Sequence, residues 1–506
     1  MNHGEHVTAV LGARIVSAGS PLPGGDDEPH DVFVADGRII DIAPAGALRP
    51  RGAALDGTGC WLTPGLWDHH VHVMQWALVA QRVELGSAAS AVDAARIMAD
   101  APVLHGVQDD GRRVGTGYRD ALWPDAPSLG LLDSVTGEVP TYLINADVHS
   151  VWLNSAALRR EGFVDLADDG VLREGPAFEI SRRLNDIEPA IADAFVTRAA
   201  RAAAARGVVG IVDLDMAWNE GAWTRRLVGG FDALRVEFGI YPEYLDRAIA
   251  EGLVSGAPVR GADSDLVHVG PLKVITDGSL GTRTAACSHA YPDDPHNTGL
   301  LTVAPERLIE LMTQATGAGL RCAVHAIGDV ANTRALDAYA LTGATGTVEH
   351  AQLVAHADIP RFARLGVGAS VQPVHALDDR DITEREWAAQ TALAYPLRAL
   401  ADSGAALLFG SDAPVSPLDP WAAMAAAVFR SRGGRAPWRP QEAVPIGTAL
   451  DASTHGGSGG GAARIEPGAR GDLALCTADP RTADEPGLRA MGIAATLLGG
   501  RLTHIA

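Results

Sequence analysis

The chain has 506 residues, and its 47% hydrophobic and 20% charged content is that of a globular protein with material for several domains. Its formal net charge of −21 argues against nucleic acid or an anionic membrane as the main partner. Four widely spaced cysteines exclude a disulfide framework, and no run of about 18 apolar residues is present to span a membrane. The start of the chain shows no signal peptide, so we expect a cytoplasmic protein.

Both ends of the chain have the pattern of short β-strands, in which apolar and polar residues alternate around turn signals. The segments with this pattern are 7–19, 31–44, 463–480 and 493–506. We predict that residues 1–62 and 463–506 together build one small β-sandwich domain.

The middle of the chain repeats a unit in which a short apolar strand ends in a polar residue and a helical stretch follows. Eight such strands are recognisable, at residues 66–73, 207–215, 234–241, 272–277, 321–329, 346–353, 367–373 and 407–414. Eight βα units in series predict an α/β fold, a (β/α)8 TIM barrel over residues 63–462. Its functional site is expected at the carboxyl ends of the strands.

One interval between the predicted strands is too long for a single helix and loop. It covers residues 74–206, which we interpret as a lobe inserted into the barrel after its first strand. Within this lobe, residues 90–103 and 189–206 have helical periodicity, and residues 140–154 have the character of a strand.

Side chains that bind metals recur on the predicted barrel strands. His70 and His72 alternate along the first strand, which places both imidazoles on one face and makes half of a zinc site. Asp68 lies on the same face and can orient a ligand histidine. The candidates on later strands are Lys273, His325, His350 and Asp412. Together these groups suit Zn²⁺ or a similar borderline divalent ion.

Lys273 cannot ligate a metal as an ammonium group. Because burial lowers the pKa of a lysine, a neutral amine can form and react with CO2 to give a carbamate whose two oxygens can bridge two metal ions. The alternative is an ion pair between Lys273 and Asp277 or Asp213. Asp412 can do two jobs, since it can ligate a metal and accept a proton from the water that the metal activates.

Nine segments of the chain resemble the metal-dependent amidohydrolase superfamily, and within it the YtcJ-like branch that includes N-substituted formamide deformylase. They are PGLWDHHVH (64–72), VHSVWLNSAAL (148–158), GVLRE (170–174), LKVITDGSLGTRTAA (272–286), HAIGD (325–329), VEHAQ (348–352), ASVQPVH (369–375), AYP (394–396) and FGSDAPVSPLDP (409–420). The metal ligands that the resemblance implies are His70, His72, His325, His350 and Asp412. Lys273 matches the position of a carboxylated lysine, N6-carboxylysine, in members with two metal ions; other members work with one. His69 departs from the family, which usually has a small residue there, and it either packs away from the site or competes for metal.

Other residues that match the family are candidate substrate contacts. His149, Trp152 and Asn154 match an H-x-x-W-x-N-S segment of the lobe, which we expect to lie over the barrel mouth as a pocket wall. His149 is a candidate catalytic residue that polarises a substrate carbonyl; the alternative is a structural hydrogen bond. Trp76 and Trp218, which follow the first two strands, are predicted to join Trp152 in an apolar wall for the substrate.

Two polar residues that match the family have open roles. Arg283 either orients the substrate or braces its own loop. Glu174 has no assigned role.

These features predict a metal-dependent hydrolase of C–N bonds other than peptide bonds. The expected substrate is a small molecule with an amide, N-formyl or N-acyl group on a hydrophobic or aryl-bearing amine, cleaved by metal-activated hydroxide with Asp412 as the proton shuttle. The alternatives are hydrolysis of a cyclic amide, ester or carbamate, a deamination or decarboxylation, and a non-catalytic role in binding or regulation. A homodimer is expected from the general frequency of two-fold oligomers.

Overall fold

The computed structural model describes residues 3–16, 19, 22, 25, 28–103, 111–120, 123–146, 150–164, 168–261, 264–292 and 294–506. The chain divides into two compact units. One comprises residues 1–73 and 200–506, and it contains the barrel and a sheet built from both termini. The other, residues 74–199, is the inserted lobe.

The N-terminal part consists of strands with short connections. They are β1 (Ala9–Ile15), β2 (Pro29–Ala35), β3 (Arg38–Pro44), β4 (Ala54–Asp56), β5 (Trp61–Pro64) and β6 (Leu66–Val71). Strands β2 and β3 form a hairpin whose two turn residues, Asp36 and Gly37, have φ values of 50° and 74°. Such a turn favours the Asp-Gly pair because both central residues need a positive φ. Strand β6 is buried along its whole length and begins the barrel.

The lobe is a small α/β unit. Its elements in chain order are α1 (Val73–Val79), β7 (Val83–Glu84), α2 (Ala91–Ala99), β8 (Arg113–Tyr118), α3 (Leu129–Thr136), β9 (Thr141–Asn145), β10 (Ser150–Leu153), α4 (Ser155–Glu161), β11 (Val171–Arg173), α5 (Gly175–Asn185) and α6 (Pro189–Ala204). Its strands form one sheet in the order β11-β10-β9-β8-β7. The helices predicted in 90–103 and 189–206 are confirmed as α2 and α6, and the predicted strand segment 140–154 contains β9 and β10.

The barrel continues after the lobe with alternating strands and helices. The elements are β12 (Val208–Asp213), α7 (Asn219–Val228), β13 (Arg235–Ile240), α8 (Leu245–Ala250), β14 (Val267–Ile275), α9 (Pro305–Gly317), β15 (Cys322–Ala326), α10 (Asp329–Thr342), β16 (Gly346–His350), β17 (Leu353–Val354), α11 (Ile359–Leu365), β18 (Gly368–Val371), α12 (Pro373–Asp378), α13 (Arg380–Glu386), β19 (Leu393–Ala394), α14 (Leu397–Asp402), β20 (Leu407–Phe409), α15 (Pro420–Phe429) and α16 (Ile446–Ala452).

The predicted barrel is confirmed, since eight parallel strands follow one another in the order β6-β12-β13-β14-β15-β16-β18-β20. The ring is nearly closed where β6 meets the segment after β20. There the Asp412 amide donates to the His70 carbonyl at 2.8 Å, and the His72 amide donates to the Ala413 carbonyl at 2.9 Å. These two hydrogen bonds bring the first and last predicted metal-binding segments together at the rim.

The C-terminal segment returns to the N-terminal strands. It contains β21 (Leu473–Cys476), α17 (Glu485–Arg489), β22 (Ile493–Leu498) and β23 (Arg501–Ile505). The strand order is β23-β22-β21-β5-β1-β2-β3, with β4 on β1. The prediction that both termini together build one β-domain is therefore confirmed, and its strands belong to one sheet. Its strands are joined in a single hydrogen-bonded sheet around one apolar cluster, which contains Ile39 of β3 and Leu502 of β23. Among the described residues, no helix has the length and apolar character needed to cross a membrane.

Candidate metal centre

His70, His72 and Asp412 form a candidate metal site at the barrel rim. The Nε2 atoms of His70 and His72 lie 3.6 and 3.2 Å from Oδ1 of Asp412. Two ligands that each lie about 2.1 Å from a tetrahedral ion are separated by about 3.4 Å, so both distances fit a shared cation. Asp412 reaches this position in the loop after β20, where its φ is 58°.

His325 and His350 extend this group along the rim. Their rings lie 4.5 Å apart between centroids, and the ring of His350 lies 4.7 Å from that of His70. The parallel register pairs His350 at the end of β16 with Ala326 at the end of β15, which brings the two strand ends to the same level. Four imidazoles from three strands therefore converge.

The buried imidazoles are held in the form that binds metals. Burial lowers the pKa of His70 and His350 well below the usual range, and it lowers the pKa of His325 to about 3. Nδ1 of His70 donates to Oε2 of Glu349 at 2.6 Å, and Nδ1 of His350 donates to Oε1 of Gln372 at 2.8 Å. These hydrogen bonds leave Nε2 of each ring with its lone pair, as in histidine ligands oriented by a neighbouring acceptor.

Asp412 supplies the negative charge of the group. Burial opposes its ionisation, but the adjacent His70 and the hydrogen bond from His72 outweigh this effect and hold the pKa of Asp412 well below its usual range. A carboxylate among neutral imidazoles is a donor set that divalent zinc and similar ions prefer. The residues present therefore fit a divalent cation.

Lys273 lies on β14 and is only 1% exposed. Burial lowers its pKa to about 8, although Glu349 and Asp412 act in the opposite direction. Its Nζ forms no hydrogen bond to any residue that the structure describes. The alternative ion pairs with Asp277 and Asp213 are not formed. Asp277 accepts hydrogen bonds from the amides of residues 286, 327 and 328, and Asp213 accepts one from the indole of Trp223.

The supporting residues of the centre were only partly anticipated. Asp68 was expected to orient a ligand imidazole, but its Oδ1 accepts the amides of His70 and Ser411 instead, at 3.2 and 2.9 Å. Glu349 and Gln372 orient the histidines. Both lie in segments that resemble the family, 348–352 and 369–375, and that resemblance was the only signal that pointed to them.

Two further histidines, His69 and His375, differ in their position relative to the metal centre. His69 faces away from the centre, where its ring stacks on Trp67 and its nitrogens lie 2.8 and 3.1 Å from the carbonyls of Phe409 and His455. It is a packing residue. His375 was not predicted, yet one of its ring nitrogens lies within 4.8 Å of ligand atoms of His350 and Asp412.

Among the predicted substrate contacts in the first unit, Trp218 follows β12 and is partly buried. Its ring lies 5.7 Å from that of Tyr244, with the guanidinium of Arg247 4.0 Å from its centroid. Arg283 forms a two-point ion pair with the buried Glu386 at 2.8 and 2.9 Å. This contact favours the bracing alternative for Arg283, because it ties the loop after β14 to α13.

The remaining candidates belong to the lobe. Trp152 is fully buried in a lobe cluster, and its indole donates to the Ser128 carbonyl at 3.3 Å. Asn154 caps α4, and its Oδ1 accepts a hydrogen bond from the Thr141 amide. Trp76 lies buried on α1. Trp152 and Asn154 therefore have structural roles within the lobe. Substrate contact by Trp152, Asn154 and Trp76 stays a prediction. His149 lies outside the described residues.

Three relatives resemble the chain over most of its length. The chain is 25% identical to the amidohydrolase YtcJ of Bacillus subtilis, over 94% of this chain and 96% of that protein. It is 24% identical to N-substituted formamide deformylase of Arthrobacter pascens, over 94% of each. It is also 28% identical to Protein LONG AFTER FAR-RED 3 of Arabidopsis thaliana, over 88% of this chain and 82% of that protein.

The fold is likewise shared with a solved structure, a metal-dependent hydrolase from Pyrococcus horikoshii OT3. The TM-score is 0.76 at 25% identity, covering 94% of this chain and 99% of that one. The model of the amidohydrolase family matches residues 53–504, which include the barrel and most of the terminal sheet. With its candidate metal site in place, this chain belongs to the amidohydrolase family and is a metal-dependent amidohydrolase.

Proposed function

We propose that this enzyme hydrolyses an amide, N-formyl or N-acyl group on a hydrophobic or aryl-bearing amine. The observation that carries the proposal is the placement of the His70 and His72 imidazoles around the Asp412 carboxylate at ligand spacing. The similarity to a formamide deformylase over 94% of both chains supports the choice of bond.

The proposed metal assignment draws on the positions of these side chains at the rim. We assign His70, His72 and Asp412 to one cation, and His325 and His350 to a second cation. Lys273 would bridge the two ions as N6-carboxylysine, since its buried amine has no competing ion pair in the described part of the chain. Zn²⁺ suits these donors best. A bound divalent cation supplies acidity to a water molecule and polarises a carbonyl oxygen.

Asp412 is assigned the proton transfer. Its Oδ1 faces His70 and His72, so we assign the transfer to Oδ2. As water adds to the carbonyl carbon, Oδ2 accepts a proton from it; when the C–N bond breaks, Oδ2 returns that proton to the departing amine. The products are a carboxylic acid and a free amine. The Asp412 side chain is again a carboxylate at the end of each turnover.

The apolar substrate class rests on loops at the carboxyl ends of the strands. Met216 after β12, Leu300 after β14 and Val415 after β20 are 54%, 50% and 68% exposed. We propose that these apolar side chains contact the hydrophobic part of the substrate, since they lie in loops at the end of the barrel that holds the site. We assign Trp218, which follows β12, to the same wall.

The test is a substrate panel on protein loaded with zinc. N-Benzylformamide, an N-acetylated benzylamine and an acetanilide represent the proposed class, and a matched benzyl ester, carbamate and cyclic amide represent the alternatives. Release of benzylamine at a rate that falls at least 10³-fold in Asp412→Asn, with the cation content unchanged, supports the proposal. Turnover of the ester, carbamate or cyclic amide alone would contradict it, and no turnover at all would favour a binding role.

A further inference from the structure

His375 is a buried group near the metal centre that the predicted ligand set does not use. It lies on α12, three residues after Gln372, whose side chain orients His350. It is 7% exposed, and its Nε2 has no hydrogen-bond partner among the residues that the structure describes. A buried ring nitrogen without a protein partner is uncommon in a folded protein, and it is open to a hydrogen bond with a water molecule, an ion or a bound ligand.

His375, His350 and Asp412 form a second group of residues that could hold a metal ion, but the spacing in this group is wider than around His70 and His72. A ring nitrogen of His375 lies within 4.8 Å of ligand atoms of His350 and Asp412, but no nitrogen of His375 approaches a carboxylate oxygen of Asp412 within 4.0 Å. Two ligands of one tetrahedral ion are separated by about 3.4 Å, and His70 and His72 meet this condition with Asp412. His375 therefore stands farther from Asp412 than His70 and His72 do.

We propose that His375 is a catalytic residue that donates a hydrogen bond from Nε2 to the carbonyl oxygen of the substrate. This inference rests on the proposed function and deepens it, since it names the group that contacts the reacting carbonyl. When water adds to the carbonyl carbon, negative charge develops on the oxygen, and a donor already buried beside it needs little reorganisation to stabilise that charge. His149 was predicted for this task, and we assign it to His375, whose Nε2 is buried near the metal centre without a partner among the described residues.

The first experiment measures turnover and cation content in His375→Ala and His375→Gln. We expect His375→Ala to lower kcat for N-benzylformamide by about 10²–10³-fold, as for the loss of one oxyanion donor, with little change in KM. Gln retains an N–H donor, so His375→Gln should recover part of the rate. The cation content of both variants should equal that of the wild type. The control is His356→Ala, at an exposed histidine before α11, which should leave kcat unchanged.

The second experiment measures binding of a probe instead of turnover. It can therefore distinguish failure of the inference about His375 from failure of the proposed substrate class. Phenylphosphonate carries tetrahedral oxyanions like those of a hydrated carbonyl, and we expect its affinity for the zinc-loaded protein to fall at least 10-fold in His375→Ala. Loss of about one cation per chain in His375→Ala would make His375 a ligand and overturn the inference. Unchanged turnover and probe affinity would also overturn it, as would failure of the loaded wild-type protein to bind the probe. If no amide is hydrolysed but the probe result holds, only the choice of substrate fails.

Discussion

The terminal sheet and the barrel rim both bury their side chains, but they bury different kinds of group. The interior of the terminal sheet is apolar, with Val10, Leu62 and Leu497 fully buried in one cluster. At the rim, Lys273, His72 and His375 are mostly enclosed and each has a buried nitrogen without a hydrogen bond in the described structure. Apolar burial stabilises the fold outright, whereas unpartnered polar groups cost stability until a ligand or cation binds. The comparison indicates that the terminal sheet stabilises the fold and the rim is built to bind.

The largest expected effect comes from removing the first of the two proposed cations. His70→Ala combined with His72→Ala removes both imidazoles that lie at ligand spacing from Asp412, so the cation content should fall by about one per chain and activity should fall more than about 10³-fold. Elemental analysis and the amide assay provide the measurement. His356→Ala is the control, and full cation content in the double variant would refute the assignment of this site.

A substitution in the terminal sheet should lower stability without changing cation binding. Leu497→Ala opens a cavity in a fully buried position and should lower the free energy of unfolding by about 2–5 kcal/mol, while the cation content of the folded protein stays the same. Urea unfolding measures the loss. Ile40→Ala, at a 58% exposed position of the same sheet, is the matched control and should change stability by no more than about 0.5 kcal/mol. Loss of cation from folded Leu497→Ala would contradict the conclusion that the terminal sheet stabilises the fold and the rim binds the cation.

A buried carboxyl at the rim should make stability depend on pH. Burial and the neighbouring Asp215 raise the pKa of Asp213 to about 6, against 3.8 when exposed. Asp213 therefore holds its proton more tightly in the folded state than in the unfolded state. The contribution of Asp213 to stability is present below pH 3.8 and is lost as pH rises to about 6. This pH dependence follows because the folded state binds the proton more tightly than the unfolded state does. Urea unfolding of wild type and Asp213→Asn at pH 4, 5, 6 and 8 tests this. Parallel pH profiles of the two proteins would contradict it.

The smallest effect concerns a residue that supports a ligand. Glu349→Gln keeps the size of the side chain but removes the charge that accepts from Nδ1 of His70, and we expect zinc affinity to fall about 10–100-fold. Competition with a chelator measures the affinity. Thr347→Val, which removes only the hydroxyl bonded to the same carboxylate, serves as a milder comparison. Equal affinity in Glu349→Gln and wild type would show that Glu349 does not tune this histidine.

Much of this architecture could be predicted along the chain because it depends on local periodicity. Alternation on β6 placed His70 and His72 on one face and His69 on the other, and the repeat of strand and helix predicted eight parallel strands whose carboxyl ends share one rim. The apolar alternation at both termini likewise predicted their strands. These features follow from the geometry of strands, which a sequence pattern reports directly.

The partners of the site residues depended on the tertiary structure. Glu349 lies 279 residues from His70, and Arg283 lies 103 residues from Glu386, so no local pattern relates either pair. The same holds for Asp68, which binds backbone amides rather than an imidazole, and for Trp152, which the lobe buries in its own core. The sequence by itself determined which strands form and which faces carry the candidate ligands. Only the tertiary structure decided which buried groups are paired and which await a partner, because pairing depends on the three-dimensional approach of segments that are remote in the chain.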